Sequence, residues 1–385
     1  LNKLEKGLIF AGILIPFTVL RVGYVGLGEL TLLILFLYGL NKGYINRITR
    51  DVVFSRFWVQ FLIITFFGFA YNIVILNQST GTVESTVFDF MAYIVILITC
   101  LIIENFYHKD RINIYEIIKR IFLISGVLFT ALYLVSMFTD TIYGLPLKYY
   151  DYFAPFVTNL HQTAMFMAPM PFIGLLIFRN EKRPITRFIS LVLILIFSYL
   201  VVQTGSFKAL VGLTLGWAVY FVLEFVKLFK GRMKNAVIVS LISIIIILGV
   251  VNSPVLYEIF FAIFNAEDLA SGRSSLYSNA IDVALTSPLV GLGPGAHIYQ
   301  AGQFWDSHET FITVFLQGGA IGLVFFLILL YKIFKTFTKV TSLLAASIPI
   351  LIYALGGDIM RRLPIWLLLM LLYYYIINYS KEAEV

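Results

Sequence analysis

The chain has 385 residues, is 60% hydrophobic and only 13% charged, and has a mean hydropathy of +0.92. No soluble domain of this size is that apolar, so the composition excludes a soluble fold and points to a polytopic membrane protein. The net charge of +7 would suit nucleic acid in a soluble protein; here it fits cytoplasmic loops meeting anionic lipid, and no nucleic-acid partner is expected.

Apolar runs long enough to cross ~30 Å of hydrocarbon recur along the whole chain. The first, Leu8 to Leu20, has the look of a signal sequence, but no small-residue cleavage site follows it, so it counts as a membrane helix. The expected spans are 7–22, 24–40, 57–76, 87–103, 121–138, 157–178, 188–203, 209–226, 236–251, 309–331, 340–355 and 364–379. The first and second are tightly joined, as are the seventh and eighth, and each pair could be one bent element. Cys100, the single cysteine, lies inside the fourth run and excludes an intrachain disulfide and a cysteine-built metal site. The expected fold class is an all-α integral membrane protein of about twelve transmembrane helices. Residues 1–251 would form the first nine, 252–307 a partly helical outer loop, and 308–385 the last three with a short tail.

Lysine and arginine in the loops orient the chain. With the N-terminus in the cytoplasm, only Arg21, Lys148, Lys208, Arg273, Arg361 and Arg362 of the 28 basic residues face outward. Both termini are then cytoplasmic. Outward cations oppose the insertion rule. Each is explained by a local ion pair or by an anion held at the membrane surface, where a lipid-linked phosphate lies.

Thr139 to Phe156 is an outer loop rich in aromatics, Tyr149 and Tyr150 among them. It is either an interfacial belt or a surface for stacking sugar. Asn159, His161 and Gln162 open the sixth span, where polar residues wall a cavity or pair with other helices. In Gln203–Lys208, Gly205 suits a left-handed backbone and Ser206 suits a helix cap. Lys208 beside free helix N–H groups makes an anion-binding arrangement, unless it only snorkels to water.

Ser274 to Thr286 has a helical pattern with Leu276, Ala280, Val283 and Ala284 on one face, and Ser287-Pro288 ends it. Arg273 sits at its start, where dipole and guanidinium would both face an anion. Gly291-Leu-Gly-Pro-Gly295 is not a nucleotide loop: no strand precedes it and it faces outward. Asp306 or Ser307 is expected to cap the tenth span, leaving His308 at a helix N-terminus that disfavours the imidazolium. Asp306 and Glu309 pull the other way. Gly318 and Gly322, four apart, mark a close helix crossing. In the last outer turn, phosphate contact by Arg361 and Arg362 is favoured over an ion pair with Asp358. No HExxH or clustered histidines occur in the outer loops, so no metal is expected.

The order SGR, a helix, SPLVGLGPG, SHETF and QGGAIG resembles the O-antigen ligase/polymerase family of bacterial membrane glycosyltransferases. The match covers about 50 residues. It departs at Glu309, where the family has Asn, and at Phe207, where the family has an arginine whose role would pass to Lys208. The resemblance implies a membrane-embedded glycosyltransferase fold (GT-C-like) in the bacterial inner membrane. It also implies an undecaprenyl-diphosphate-linked glycan donor, an outer-face acceptor hydroxyl, inversion, and no cofactor. His308 would be the base, with Arg273, Lys208, Arg361 and Arg362 on the diphosphate. Asn159, His161, Asp306, Glu309, Tyr149 and Tyr150 would wall the site or meet the acceptor. The acceptor is a second lipid-linked repeat unit for a polymerase, the favoured reading, or lipid A-core for a ligase. Membrane lipids and a chain-length regulator protein are further implied partners. A flippase is the alternative of another class, although its cations should run through the middle of the spans.

Overall fold

A computed structural model of the chain describes residues 1–22, 25–45, 52–76, 81–231, 233, 237, 273–300, 303–307 and 309–383. For Val22, residues 273–275, Gln300 and residues 379–383 it describes the backbone alone. The helices are α1 (Lys3–Leu14), α2 (Leu27–Asn41), α3 (Phe54–Tyr71), α4 (Val83–His108), α5 (Ile114–Ser136), α6 (Leu160–Met167), α7 (Met170–Asn180), α8 (Pro184–Gln203), α9 (Phe207–Lys227), α10 (Arg273–Ala284), α11 (Thr310–Phe337), α12 (Thr341–Gly356) and α13 (Leu363–Ala383). A π-helical turn, Asn72–Leu76, extends α3, and the only strands described form two-stranded hairpins in the loops.

Among the described residues, seven helical stretches are long and apolar enough to cross a membrane: Phe54–Leu76, Val83–His108, Ile114–Ser136, Leu160–Asn180, Pro184–Gln203, Phe207–Lys227 and Thr310–Phe337. Three shorter apolar helices, Leu27–Asn41, Thr341–Gly356 and Leu363–Asn378, pack among them. Phe66, Phe67, Leu195, Phe221 and Ile328 lie exposed on their outer faces. Such a belt is tolerable only against lipid. The chain is thus an all-α, multi-pass membrane protein. Of the expected ninth span, 236–251, only Val237 is among the described residues.

At the centre stands α13. Every residue from Ile365 to Ile376 is buried, as a helix apolar on all sides requires. At one end of the bundle a buried carboxylate, Glu104 of α4, takes the place of a cap for α3. It accepts from the backbone N–H groups of Val53, Phe54 and Ser55 at 3.0–3.1 Å and from the Tyr374 hydroxyl at 2.7 Å. This end also carries Lys109, Lys119, Arg179 and Lys227, with the ion pairs Lys119–Glu181 and Arg179–Glu224 at 2.8 Å. The other end gathers the starts of α4, α6, α9, α11 and α13 and the ends of α8 and α12, and it holds the candidate site.

Two expected spans differ in form. The first is not one helix over 7–22: α1 stops at Leu14, Pro16 has no N–H to continue it, and the chain runs on to donate from Val19 to the Phe156 carbonyl at 2.8 Å. The sixth divides at Ala168-Pro169 into α6 and α7. The seventh and eighth are separate helices across a turn where Gly205 has φ +65° and the Ser206 side chain accepts from Ala209 N–H.

Candidate functional site

The charge density at this end centres on Arg361, in the turn between α12 and α13. Its Nη1 reaches Asp89 at 3.0 Å, its Nε reaches Asp358 at 3.0 Å, and its Nη2 pairs with Asp306. Asp89 is completely buried in α4. Its second oxygen accepts from Gly295 N–H at 3.0 Å and from the Gln317 amide at 2.7 Å. Three carboxylates around one guanidinium leave excess negative charge, so one of them gains by holding a proton. Burial pushes the Asp358 carboxyl up to about 7, with the Met360 N–H and Arg362 pulling down. Phosphate contact in preference to an Asp358 pair was the sequence expectation for Arg361. The structure has the ion pair, because the turn folds Asp358 back three residues and α4 and the approach to α11 deliver two more acids.

The Pro/Gly turn is locked into a break in α11. Gly319 has φ +62° and ψ −165°, which interrupts the helix. Backbone groups freed by the break find partners in the turn: Leu292 N–H donates to Leu316 O at 2.9 Å, and Gly293 N–H to Gln317 O at 3.0 Å. In return, Ala320 N–H donates to Pro288 O at 2.8 Å and Ile321 N–H to Leu289 O at 3.2 Å. The turn is therefore part of the bundle wall, as broken backbone within a membrane protein has to be. Gly318 and Gly322 do mark a close crossing: Cβ atoms there would lie 2.8 and 3.3 Å from the Phe61 ring of α3.

On the far side of the 356–362 turn, Lys208 Nζ donates to Gly356 O at 2.5 Å, and Thr310 Oγ1 donates to the next carbonyl, Gly357, at 2.7 Å. Lys208 and the first residue of α11 thus meet on adjacent peptide groups. Beside them His161 Nδ1 lies 3.0 Å from Ser206 Oγ, which lies 2.7 Å from the Tyr353 hydroxyl. The expected outer helix exists as α10, and its Leu276 and Ala280 pack with Ile298 and Ile312 of α11. That packing carries the start of α10, and with it Arg273, toward the start of α11. His308 lies outside the described residues.

The cap of α11 is neither Asp306 nor Ser307 but Glu309, whose Oε2 accepts from Ile312 N–H at 2.5 Å. The helix begins at Thr310 because Asp306 is drawn off to Arg361 and Ser307 Oγ sits 2.6 Å from Thr313 Oγ1. Burial raises the Glu309 carboxyl to about 7, against the lowering by the Ile312 and Phe311 N–H groups. Asn159 caps α6, accepting from His161 N–H at 2.9 Å. Tyr149 and Tyr150 lie in a hairpin, and Tyr150 is exposed. Arg362 follows Arg361, has no ion pair among the described residues, and lines a cavity beside α4 and α6 together with Arg361.

Asp89, Gln317 and His297 were not among the sequence candidates. The signal for the first two was present: polar side chains inside apolar spans. His297 Nε2 is buried with no hydrogen-bond partner among the described residues. Burial pushes the ring below the ordinary histidine range, with Asp89 opposing.

The family model described as O-antigen ligase matches residues 189–327. Over that stretch the chain is similar to the O-antigen ligase family. The match spans less than half of the chain, but it takes in Lys208, α10 and most of α11. No curated protein matches the chain. That likeness, together with the apolar helices, supports a membrane glycosyltransferase of the O-antigen ligase/polymerase type.

Proposed function

We propose that this protein is a polymerase of undecaprenyl-diphosphate-linked repeat units, working at the periplasmic face of a bacterial inner membrane with both termini in the cytoplasm. The supporting observation is the meeting of Lys208 and Thr310 on the Gly356 and Gly357 carbonyls, inside the family-matched stretch and two residues from His308. A lipid diphosphate leaving group needs cations, and Lys208 and Arg273 are the two we assign to it. The attacking sugar hydroxyl needs a base, and His308 is that base, worth ~10²–10⁴ in rate. The glycosyl–diphosphate bond supplies the energy, so the assignment needs no nucleotide. Polymerase is preferred to ligase because the hairpins at 141–153 are short. A chain-length regulator is a fitting partner for such an enzyme.

The test is transfer by the purified protein from a lipid-linked donor, with donor binding followed separately. With lipid-linked repeat units alone, a polymerase makes a ladder of products; product only when lipid A-core is added would make the protein a ligase. His308→Gln should keep donor binding and lose at least about a hundredfold in transfer. Near-wild-type turnover by that variant would pass the base role to His297 or Glu309.

A further inference from the structure

A cavity of about 900 Å³ lies between the Ile15–Arg21 corner, the first turns of α4, α6 and the start of α13. Its long wall is apolar. Val87, Met91 and Val95 recur every four residues along α4, and Met165 and Phe166 line it from α6. Arg21, Arg361 and Arg362 also line it, with Glu29 and Glu84. Two of these five charges are already committed. Arg361 is held by three aspartates, and Glu29 accepts from Gly26 N–H at 2.8 Å. Among the described residues Arg21 and Arg362 have no ion-pair partner, and the buried Nε of Arg362 has no acceptor. A guanidinium left in that state is costly unless a ligand completes it. An apolar slot with unpaired guanidinium groups fits an amphiphile with an anionic phosphate head.

Lys208, His161 and Ser206 do not line this cavity. His161 turns to Ser206, whereas Gln162, the next residue of α6, lines the cavity and accepts from the Thr18 hydroxyl at 2.5 Å. Consecutive helical residues point about 100° apart, so the start of α6 is a partition with one polar side chain on each side.

We propose that the cavity seats the polyisoprenyl diphosphate end of the acceptor, a second lipid-linked glycan, with Arg362 and Arg21 on its phosphates. Donor and acceptor lipids then approach from opposite sides of α6. The assignment of this lipid as acceptor rests on the polymerase reading; the seat itself does not.

The probe is farnesyl diphosphate carrying a diazirine on its chain, photolysed with the purified full-length protein, with the labelled peptides mapped by mass spectrometry. Label is expected on the peptides holding Met91 and Met165. Unlabelled farnesyl diphosphate should compete, and inorganic diphosphate and phosphatidylglycerol should not. Arg362→Ala should cut labelling at least about tenfold, the loss of one charge-assisted hydrogen bond, and Arg362→Lys should restore part of it. Met91→Trp should block the slot. Label elsewhere, or label indifferent to both Arg362→Ala and Met91→Trp in monodisperse protein, overturns the proposal. Equal competition by phosphatidylglycerol makes the cavity an ordinary lipid niche, and equal competition by inorganic diphosphate makes it a free-phosphate site; either overturns it. Where a variant does not stay monodisperse, the position of the wild-type label decides. Glycan transfer measured in parallel separates the two readings. Transfer without cavity label removes the seat alone; cavity label without polymer growth removes the polymerase alone.

Discussion

Arg361 separates a structural cation from a substrate-binding one. Its three carboxylates come from α4, from the approach to α11 and from its own turn, so it ties three parts of the chain. Removing one partner of a buried ion pair leaves the others uncompensated, at a cost of about 3–5 kcal/mol. Arg361→Ala should therefore lower the thermal midpoint in detergent by many degrees, and Arg361→Lys, without the fork geometry, should recover only part. An unchanged midpoint with weakened donor binding would return Arg361 to the substrate. Glu309 makes a second residue-scale prediction. Its folded pKa of about 7 stands above the ordinary 4.5, so the folded state holds the proton more tightly than the unfolded one. The resulting stability is full below about pH 4.5 and is lost as the pH rises through 7. Each unit of displacement corresponds to about 1.4 kcal/mol, discounted here because Glu309 keeps some contact with solvent. Glu309→Gln should flatten the fall in thermal midpoint between pH 5 and 8. An equally steep fall in the variant would place the titrating group elsewhere, with Asp358 first in line.

At the scale of the elements, the decisive unit is the broken α11 with the Pro/Gly turn inserted into it. Its four backbone hydrogen bonds depend on Gly319 holding φ and ψ values that side chains disfavour. A Cβ on Gly319 would also overlap the Leu289 carbonyl. Gly319→Ala must therefore either straighten the helix or expel the turn, and both leave backbone groups unpaired within the bundle. Expected is a loss of folded protein, seen as aggregation in size-exclusion chromatography. Gly318→Ala, whose Cβ would meet only the movable Phe61 ring, should be milder. Equal behaviour of the two variants would mean that the break is not what holds the turn.

At the scale of the whole molecule, the two ends of the bundle differ in charge chemistry. One end carries Lys119, Arg179 and Lys227, paired with Glu116, Glu181 and Glu224; the other concentrates aspartates around Arg361. If insertion follows the basic residues, a reporter fused after Lys230 should be active in the cytoplasm and one fused after Gln303 in the periplasm. A cytoplasmic signal at Gln303 would turn the molecule over and take the site away from its proposed substrates.

What the sequence by itself determined is what the bilayer imposes on each segment separately. Long apolar runs have to be helices, their loops sort by charge, and the order SGR, SPLVGLGPG, SHETF and QGGAIG is readable without any contact being known. The α10 helix and the Ser206 cap belong to that class, because each depends on neighbours within a turn or two; the Gly318–Gly322 spacing marks a crossing without naming its partner, Phe61 of α3. The tertiary structure alone decided the pairings. Asp89 and Arg361 stand 272 positions apart, and Asp89 and Gln317 228 apart. No local pattern records which buried carboxylate a given arginine will meet. The same holds for the break, which falls at Gly319 rather than at either flanking glycine of the crossing pair, because only there does the docked turn supply the missing donors and acceptors. It holds too for the partition of three cations at one end of the bundle: Arg361 into the frame, Lys208 onto the end of α12, Arg362 beside the cavity. All three are cations beside a helix end; the packing of distant helices gives each its own surroundings.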